Sequence, residues 1–156
     1  MGQEVLDAFW KSNDRIYNEN TLLYHRLARA CGLPDCAFWL LYTLRSEEAP
    51  LTQTQLSEQL SLPKQTVNSA LKKLVEAGYL RLEAADGNLK NKQVLVTEAG
   101  DAFLRRTVDR VFGMENAAVS HLSGEERAAL LDLSQKLLDA FRTETERFLK
   151  AQDTGD

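Results

Sequence analysis

The chain has 156 residues, which suits one compact domain or a small domain with appended helices. It carries 23 acidic and 19 basic residues, a net charge of −4, so any approach to a polyanion has to rest on local charge rather than the overall balance. No apolar run reaches the about 18 residues of a membrane helix. The opening MGQEVLDAFWKSND lacks the basic-then-apolar order of a secretory leader and is a poor myristoylation signal, so a cytoplasmic protein is the expectation.

Residues 4–30 predict a long amphipathic helix. Leu6, Phe9, Asn13, Ile16, Tyr17, Asn20, Leu23, Tyr24 and Leu27 mark one face, and Gly32 and Pro34 end it. The next segment, Cys36 to Leu44, reads CAFWLLYTL and is apolar on every side, as in a helix buried all round. Cys31 and Cys36 are separated by four residues, which is neither a C-x-x-C redox motif nor a zinc quartet. With only two histidines, His25 and His121, no metal site is expected. Two small half-buried thiols are the simplest reading. A thiol-based oxidant sensor is the alternative, since it needs one exposed thiol of lowered pKa.

The stretch from Leu51 to Gly100 is the most informative. Thr52 followed by Gln55 fits a capping box, and Leu56 and Leu60 then lie one turn apart. Ser61-Leu62-Pro63 breaks that helix, and Pro63 suits the cap or first turn of the next. From Lys64 to Ala77 an apolar stripe of Val67, Ala70, Leu71, Leu74 and Val75 faces a polar one of Gln65, Asn68, Ser69 and Lys72. Gly78 supplies the left-handed stop. Tyr79 to Glu83 and Val94 to Thr97 predict short strands, with Asp86-Gly87 as a turn signal between them. This succession is a winged helix-turn-helix.

The chemistry of the polar stripe suits DNA. Gln and Asn make bidentate contacts to adenine, Lys reaches guanine or phosphate, and Ser and Thr suit either edge. Between Ser61 and Lys92 six basic residues (Lys64, Lys72, Lys73, Arg81, Lys90, Lys92) face three acidic ones (Glu76, Glu83, Asp86), so this region is locally positive.

Beyond Gly100 a helix is predicted from about Glu98 to Val119, with Phe103, Leu104, Val108, Val111 and Phe112 inward. Ser123 and Glu126 form a second capping box, opening a last helix whose stripe (Leu130, Leu131, Ser134, Leu137, Leu138, Phe141, Thr145, Phe148) runs to about Lys150. These helices are too long to be covered by the winged unit; a second copy of the chain is the economical partner, and an intramolecular bundle is the alternative.

Nearly the whole chain resembles the MarR-type transcriptional regulators. The resemblance rests on the element order, on LTQTQLSEQLSLPKQTVNSALKKLVEAGYL and on the VTEAG sequence leading out of the wing. It implies a mainly α fold with a small β wing, as one MarR-like domain over 1–156. Residues 36–97 would form the winged unit, with 4–30 and 98–150 as dimerisation helices. The implied activity is sequence-specific binding of a near-palindromic double-stranded operator by a homodimer, as a repressor relieved by a small ligand.

Carried over by position, Lys64, Gln65, Thr66, Asn68, Ser69 and Lys72 face DNA, with Thr54 and Lys73 beside them and Lys90, Asn91 and Lys92 in the wing. The family's wing usually carries Asp-x-Arg, whereas this chain has Asp86-Gly87-Asn88. Lysine reads a narrow groove less well than arginine, so phosphate contact should dominate there. The resemblance also implies a pocket between dimerising helices and winged unit. Here Tyr17, Tyr24, His25, Phe38, Trp39 and Tyr42 would line it and take an aromatic or amphipathic effector.

The sequence shows no Gly-rich phosphate loop, no nucleophile elbow and no His–carboxylate pairing at a plausible spacing, so no enzymatic activity and no cofactor are expected. The remaining alternative is a winged-helix module for protein–protein contact without specific DNA binding.

Overall fold

The computed structural model describes residues 2–85 and 88–153, without the side chains of 85, 88–91 and 153. In chain order the elements are α1 (Gln3–Ala30), α2 (Asp35–Ser46), β1 (Leu51–Thr52), α3 (Gln53–Gln59), α4 (Lys64–Glu76), β2 (Leu80–Ala85), β3 (Asn88–Val96), α5 (Glu98–Arg106), α6 (Val108–Val119) and α7 (Gly124–Asp153). The architecture is mainly α with a small antiparallel sheet, as expected. The chain divides into two compact units, Met1–Phe112 and Gly113–Asp156.

The core of the first unit gathers around α2. Ala37, Phe38, Leu40 and Leu41 are buried and no residue from Cys36 to Arg45 is exposed, which is what an all-round apolar helix requires. Ala28 from α1, Leu56 from α3, Val67, Leu71 and Leu74 from α4, and Leu104, Val108 and Val111 from α5 and α6 complete it. Of the expected inner face of α1, only Tyr24 and Leu27 pack on this core, whereas Leu6, Phe9, Ile16, Tyr17 and Leu23 are exposed in the single chain.

Three helix ends in this unit share one device. After α1, α3 and α4 the chain enters a left-handed residue, Gly32 (φ 73°), Ser61 (φ 51°) and Gly78 (φ 77°). In each, the next amide donates back to a carbonyl in the last turn: Leu33 to Ala28, Leu62 to Ser57 and Tyr79 to Leu74, at 3.0–3.1 Å. This is the Schellman closure, which satisfies carbonyls otherwise orphaned at a helix end. Ser61 fills a place that glycine takes more cheaply.

The sheet order is β1-β3-β2. Leu51 pairs with Val94, Leu80 with Val96 and Leu82 with Val94. The strands run further than the apolar pattern suggested, because pairing continues through polar positions (Glu83 with Gln93, Ala84 with Lys92) where backbone bonds alone suffice. β1 went unseen in the sequence, being two residues long. The Asp86-Gly87 turn signal lies outside the described residues.

One expectation is corrected. The helix expected over 98–119 is broken at Thr107 (φ −124°, ψ −86°) into α5 and α6. Thr107 Oγ1 donates to the Phe103 carbonyl (2.7 Å), while the Arg110 and Val111 amides donate to the Thr107 carbonyl, so Thr107 closes one helix and opens the next.

In the second unit the Ser123 amide donates to Glu126 Oε2 (2.7 Å) and the Glu126 amide to Ser123 Oγ (3.1 Å), the expected capping box. The α7 that follows leaves Leu130, Leu131, Leu138, Phe141 and Phe148 exposed.

Candidate nucleic-acid interface

The two helices of the helix-turn-helix are fixed by local bonds that the sequence encodes. The Thr52 amide donates to Gln55 Oε1 (2.8 Å) and the Gln55 amide to Thr52 Oγ1 (3.2 Å), so α3 starts where the capping box places it. At the turn, buried Ser57 donates its hydroxyl to the Leu62 carbonyl at 2.7 Å. This bond ties α3 to the residue that leads into α4. Pro63 caps α4, and its carbonyl accepts the Val67 amide.

On α4 the two stripes separate cleanly. Val67, Leu71 and Leu74 are 0–4 % exposed. Lys64, Gln65, Thr66, Asn68, Ser69, Lys72 and Lys73 are all exposed, as is Thr54 on α3. The apolar face is thus spent on the core, and the side chains left to solvent are those able to hydrogen-bond base edges or phosphate. Ser69 Oγ donates to the Gln65 carbonyl (2.9 Å) and keeps its acceptor lone pairs. Lys72 lies 3.8 Å from Glu76, an exposed i,i+4 pair that a phosphate could displace at little cost.

In the wing, Lys92 is exposed on β3, opposite Ala84 of β2. Lys90 and Asn91 belong to β3, but their side chains lie outside the described residues. Arg81 of β2 is ion-paired with Glu83 on the same strand.

The wing is anchored to the end of α4. The Thr97 amide donates to the Tyr79 carbonyl (3.0 Å), its hydroxyl donates to the Gly78 carbonyl (2.6 Å), and that hydroxyl accepts the Gly100 amide as the N-cap of α5. Tyr79 stacks on Phe103 with centroids 4.4 Å apart and planes 17° apart.

A group the sequence reading missed joins α2 to α5 and α6. Arg45 Nε and Nη2 donate to the two oxygens of Asp109 (2.7 and 2.6 Å), and Nη1 donates to Asp101 (2.8 Å). The hydrogen bonds from Arg45 hold the Asp109 carboxyl below its ordinary range, against the opposing effect of burial. The same bonds push the guanidinium pKa up. With Arg45 and Asp109 separated by 64 positions, no local pattern announces this pair.

The residues expected to bind a ligand are only partly brought together. Tyr24, Phe38, Trp39 and Tyr42 form one ring cluster, with centroids 4.8 Å apart for Tyr24–Trp39 and 5.2 Å for Trp39–Tyr42, and Phe112 joins it 4.8 Å from Tyr42. Phe38 is fully buried. Tyr17 stands outside the cluster, 69 % exposed. His25 is exposed, with Nδ1 at 2.8 Å from both carboxylate oxygens of Asp35. A cleft of about 410 Å³ opens instead between the start of α2 and α4, lined by Leu33, Pro34, Cys36, Thr66, Ser69 and Lys73 among others. None of the six expected ligand residues lines it.

Burial pushes the thiols of both Cys31 and Cys36 up, the opposite of what a reactive thiolate needs, though Arg110 partly offsets this at Cys31. Among the described residues, no group of three or more His, Cys, Asp or Glu is placed to hold a metal ion, and no helix is long and apolar enough to cross a membrane.

Comparison with known proteins follows the same outline. The MarR family model matches residues 32–88, the segment from the end of α1 into the wing. The HTH-type transcriptional regulator PecS of Dickeya dadantii is 30 % identical over 95 residues, covering 60 % of this chain and 57 % of PecS. The HTH-type transcriptional repressor NicR of Pseudomonas putida is 23 % identical over 126 residues, covering 81 % of this chain and 79 % of NicR. The structure of Staphylococcus aureus MarR in complex with salicylate and kanamycin superposes with a TM-score of 0.70 at 17 % identity, covering 91 % of this chain and 95 % of that one. The matched segment holds the exposed polar α4 and runs into the wing, so residues 32–88 are similar to the MarR family and the chain as a whole has the fold of the MarR regulator structure.

Proposed function

We propose that the protein is a homodimeric repressor that binds a pseudo-palindromic operator in double-stranded DNA and is released by a small ligand. The observation that carries the reading is the division of α4. Its apolar stripe is used up in the core, and its outer face offers Lys64, Gln65, Thr66, Asn68, Ser69, Lys72 and Lys73 with no acidic residue before Glu76. In the major groove that face reads base edges, with Thr54 on α3 and Lys90, Asn91 and Lys92 of the wing reaching the flanking backbone.

Dimerisation is supported by the apolar side chains left in solvent on α1 and α7. Within a single domain over 1–156, residues 36–97 form the reading unit, and 4–30 and 98–150 hold two copies together. The ring cluster of Tyr24, Trp39 and Tyr42, backed by Phe38, is the proposed site of an aromatic or amphipathic effector, without Tyr17, which stands outside it. NicR is named a repressor and the S. aureus MarR structure holds salicylate, which support repression and ligand relief here. An effector loosens DNA binding only by its differential affinity for the DNA-free arrangement.

The test is fluorescence anisotropy on DNA taken from upstream of the protein's own gene, over a salt series, with sedimentation on the same sample. A dimer whose affinity falls steeply with salt and exceeds that for scrambled DNA is expected. A monomer at micromolar concentration, or equal affinity for scrambled DNA, overturns the proposal.

A further inference from the structure

Two helices meet at Thr107, and what holds the angle between them is not the backbone. α5 is fixed to the winged unit at its start. Thr97 bonds Gly78 and Tyr79, the Gly100 amide bonds Thr97, and Phe103 stacks on Tyr79. α6 follows the break and is the element by which the chain leaves this unit, which ends at Phe112. Helix hydrogen bonding does not run through Thr107 as it would in one straight helix, because its amide bonds the Leu104 carbonyl and its hydroxyl the Phe103 carbonyl.

One guanidinium spans the break. Arg45, in the last turn of α2, holds both oxygens of Asp109 on α6 with two of its nitrogens and Asp101 on α5 with the third. The side chains of Arg45, Asp101 and Asp109 are 30–35 % exposed, so water screens the group only in part. A planar fork that engages carboxylates on two helices fixes their mutual direction, and a lysine ammonium cannot reproduce that geometry. Arg105 adds a second cation on Asp101, at 2.9 Å.

We infer that Arg45 is a positioning residue for DNA recognition: by bracing α5 and α6 across Thr107 it sets the distance between half-sites that the dimer accepts, without touching DNA. The inference rests on the homodimeric reading above. A dimer binds two half-sites at a fixed separation only if each recognition helix is held rigidly to the helices that pair the copies. In this chain the Thr107 break lies on that path, and beside the buried Leu104, Val108 and Val111 the Arg45 fork is the polar group that spans it.

The experiment measures affinity of the full chain for operators with zero, one or two base pairs inserted between half-sites, and for a single half-site. Wild type, Arg45→Lys, Arg45→Gln and Asp109→Asn are compared, each checked for folding by circular dichroism. The wild type should lose about tenfold or more per inserted pair, as a fixed spacing demands. Arg45→Gln and Asp109→Asn should weaken binding to the native spacing and flatten the profile to about threefold or less, while single half-site affinity stays within about twofold. Arg45→Lys should lie between. If one variant fails to fold, the other reads the same brace from its opposite end. A spacing profile unchanged in Arg45→Gln and Asp109→Asn overturns the inference, as does an equal loss on every DNA including the half-site. A wild type that binds the native spacing no better than a single half-site overturns the homodimeric reading and the inference with it.

Discussion

A side-chain carbon on Gly100 would stand 2.1 Å from the carbonyl oxygen of Tyr79. No rotamer change relieves that contact, because the backbone alone places the carbon and its partner is a backbone atom. Gly100→Ala should therefore push α5 off the end of α4 and destabilise the chain by roughly 3 kcal/mol, lowering the melting temperature by roughly 10 °C. Calorimetry checks this, and a loss below about 1 kcal/mol would show that the α4–α5 junction yields more easily than its bonds suggest.

DNA reading should separate by element. Replacing Gln65, Asn68 or Ser69 by Ala should cost roughly 1–3 kcal/mol on the operator and little on scrambled DNA. Replacing Lys90 or Lys92 by Ala should weaken both DNAs alike and make the salt dependence shallower by about one counterion. Anisotropy on the two DNAs measures it. A larger change of base preference from Lys92→Ala than from Asn68→Ala would reverse the assignment of roles.

The Arg45–Asp109 pair should also be visible in acid. Because the folded state holds the Asp109 carboxyl below its ordinary value, the pair's stabilisation is present above the unfolded carboxylate range and is lost as pH falls through the lowered value. At pH 7 Asp109→Asn should cost about 1–2 kcal/mol, allowing for partial exposure. The difference from wild type should shrink on acidification toward pH 3. Urea unfolding at both pH values tests it, and a gap independent of pH would assign the loss to packing.

Cys31 and Cys36 should alkylate slowly at neutral pH and speed up only above the usual thiol range, since burial raises both. Cys31→Ser and Cys36→Ser should leave operator binding intact. Loss of binding under mild peroxide, prevented by either substitution, would instead make the protein a thiol sensor.

Small phenolic compounds should quench Trp39, read in a Trp10→Phe background, and weaken operator binding at saturation. Protection of Cys36 from alkylation without quenching would move the ligand to the cleft beside the recognition helix. Saturable quenching with unchanged operator affinity would leave a pocket without a regulatory role.

Local chemistry accounts for what could be read from the sequence. The capping boxes at Thr52 and Ser123, the stop at Gly78 and the two stripes of α4 each involve residues within a turn or two of one another, and all stand where expected. β1 pairs with β3 across more than 40 residues, and Arg45 pairs with Asp109 across 64. Neither leaves a periodic trace. The break at Thr107 is hidden because the apolar pattern of Phe103, Leu104, Val108, Val111 and Phe112 passes through it without a glycine or proline. The ring cluster was half legible, since the aromatic content of α2 was plain, but the Phe112 that joins it comes from a helix 70 residues further on.

The closure at Ser61 has a consequence for how this surface can change. The turn is locked on one side by the Leu62 amide on Ser57 and on the other by the Ser57 hydroxyl on the Leu62 carbonyl, so its length is set by bonds that tolerate no spare residue. One residue added between Leu60 and Pro63 would turn α4 about its own axis by about 100° against its neighbours. Leu71 would then take the exposed place of Lys72, and Lys73 the buried place of Leu74. Variation in this region is thus confined to exchanging side chains on a helix of fixed phase: substitution at Gln65, Asn68 or Ser69 changes the outer face without turning it, whereas an insertion turns it.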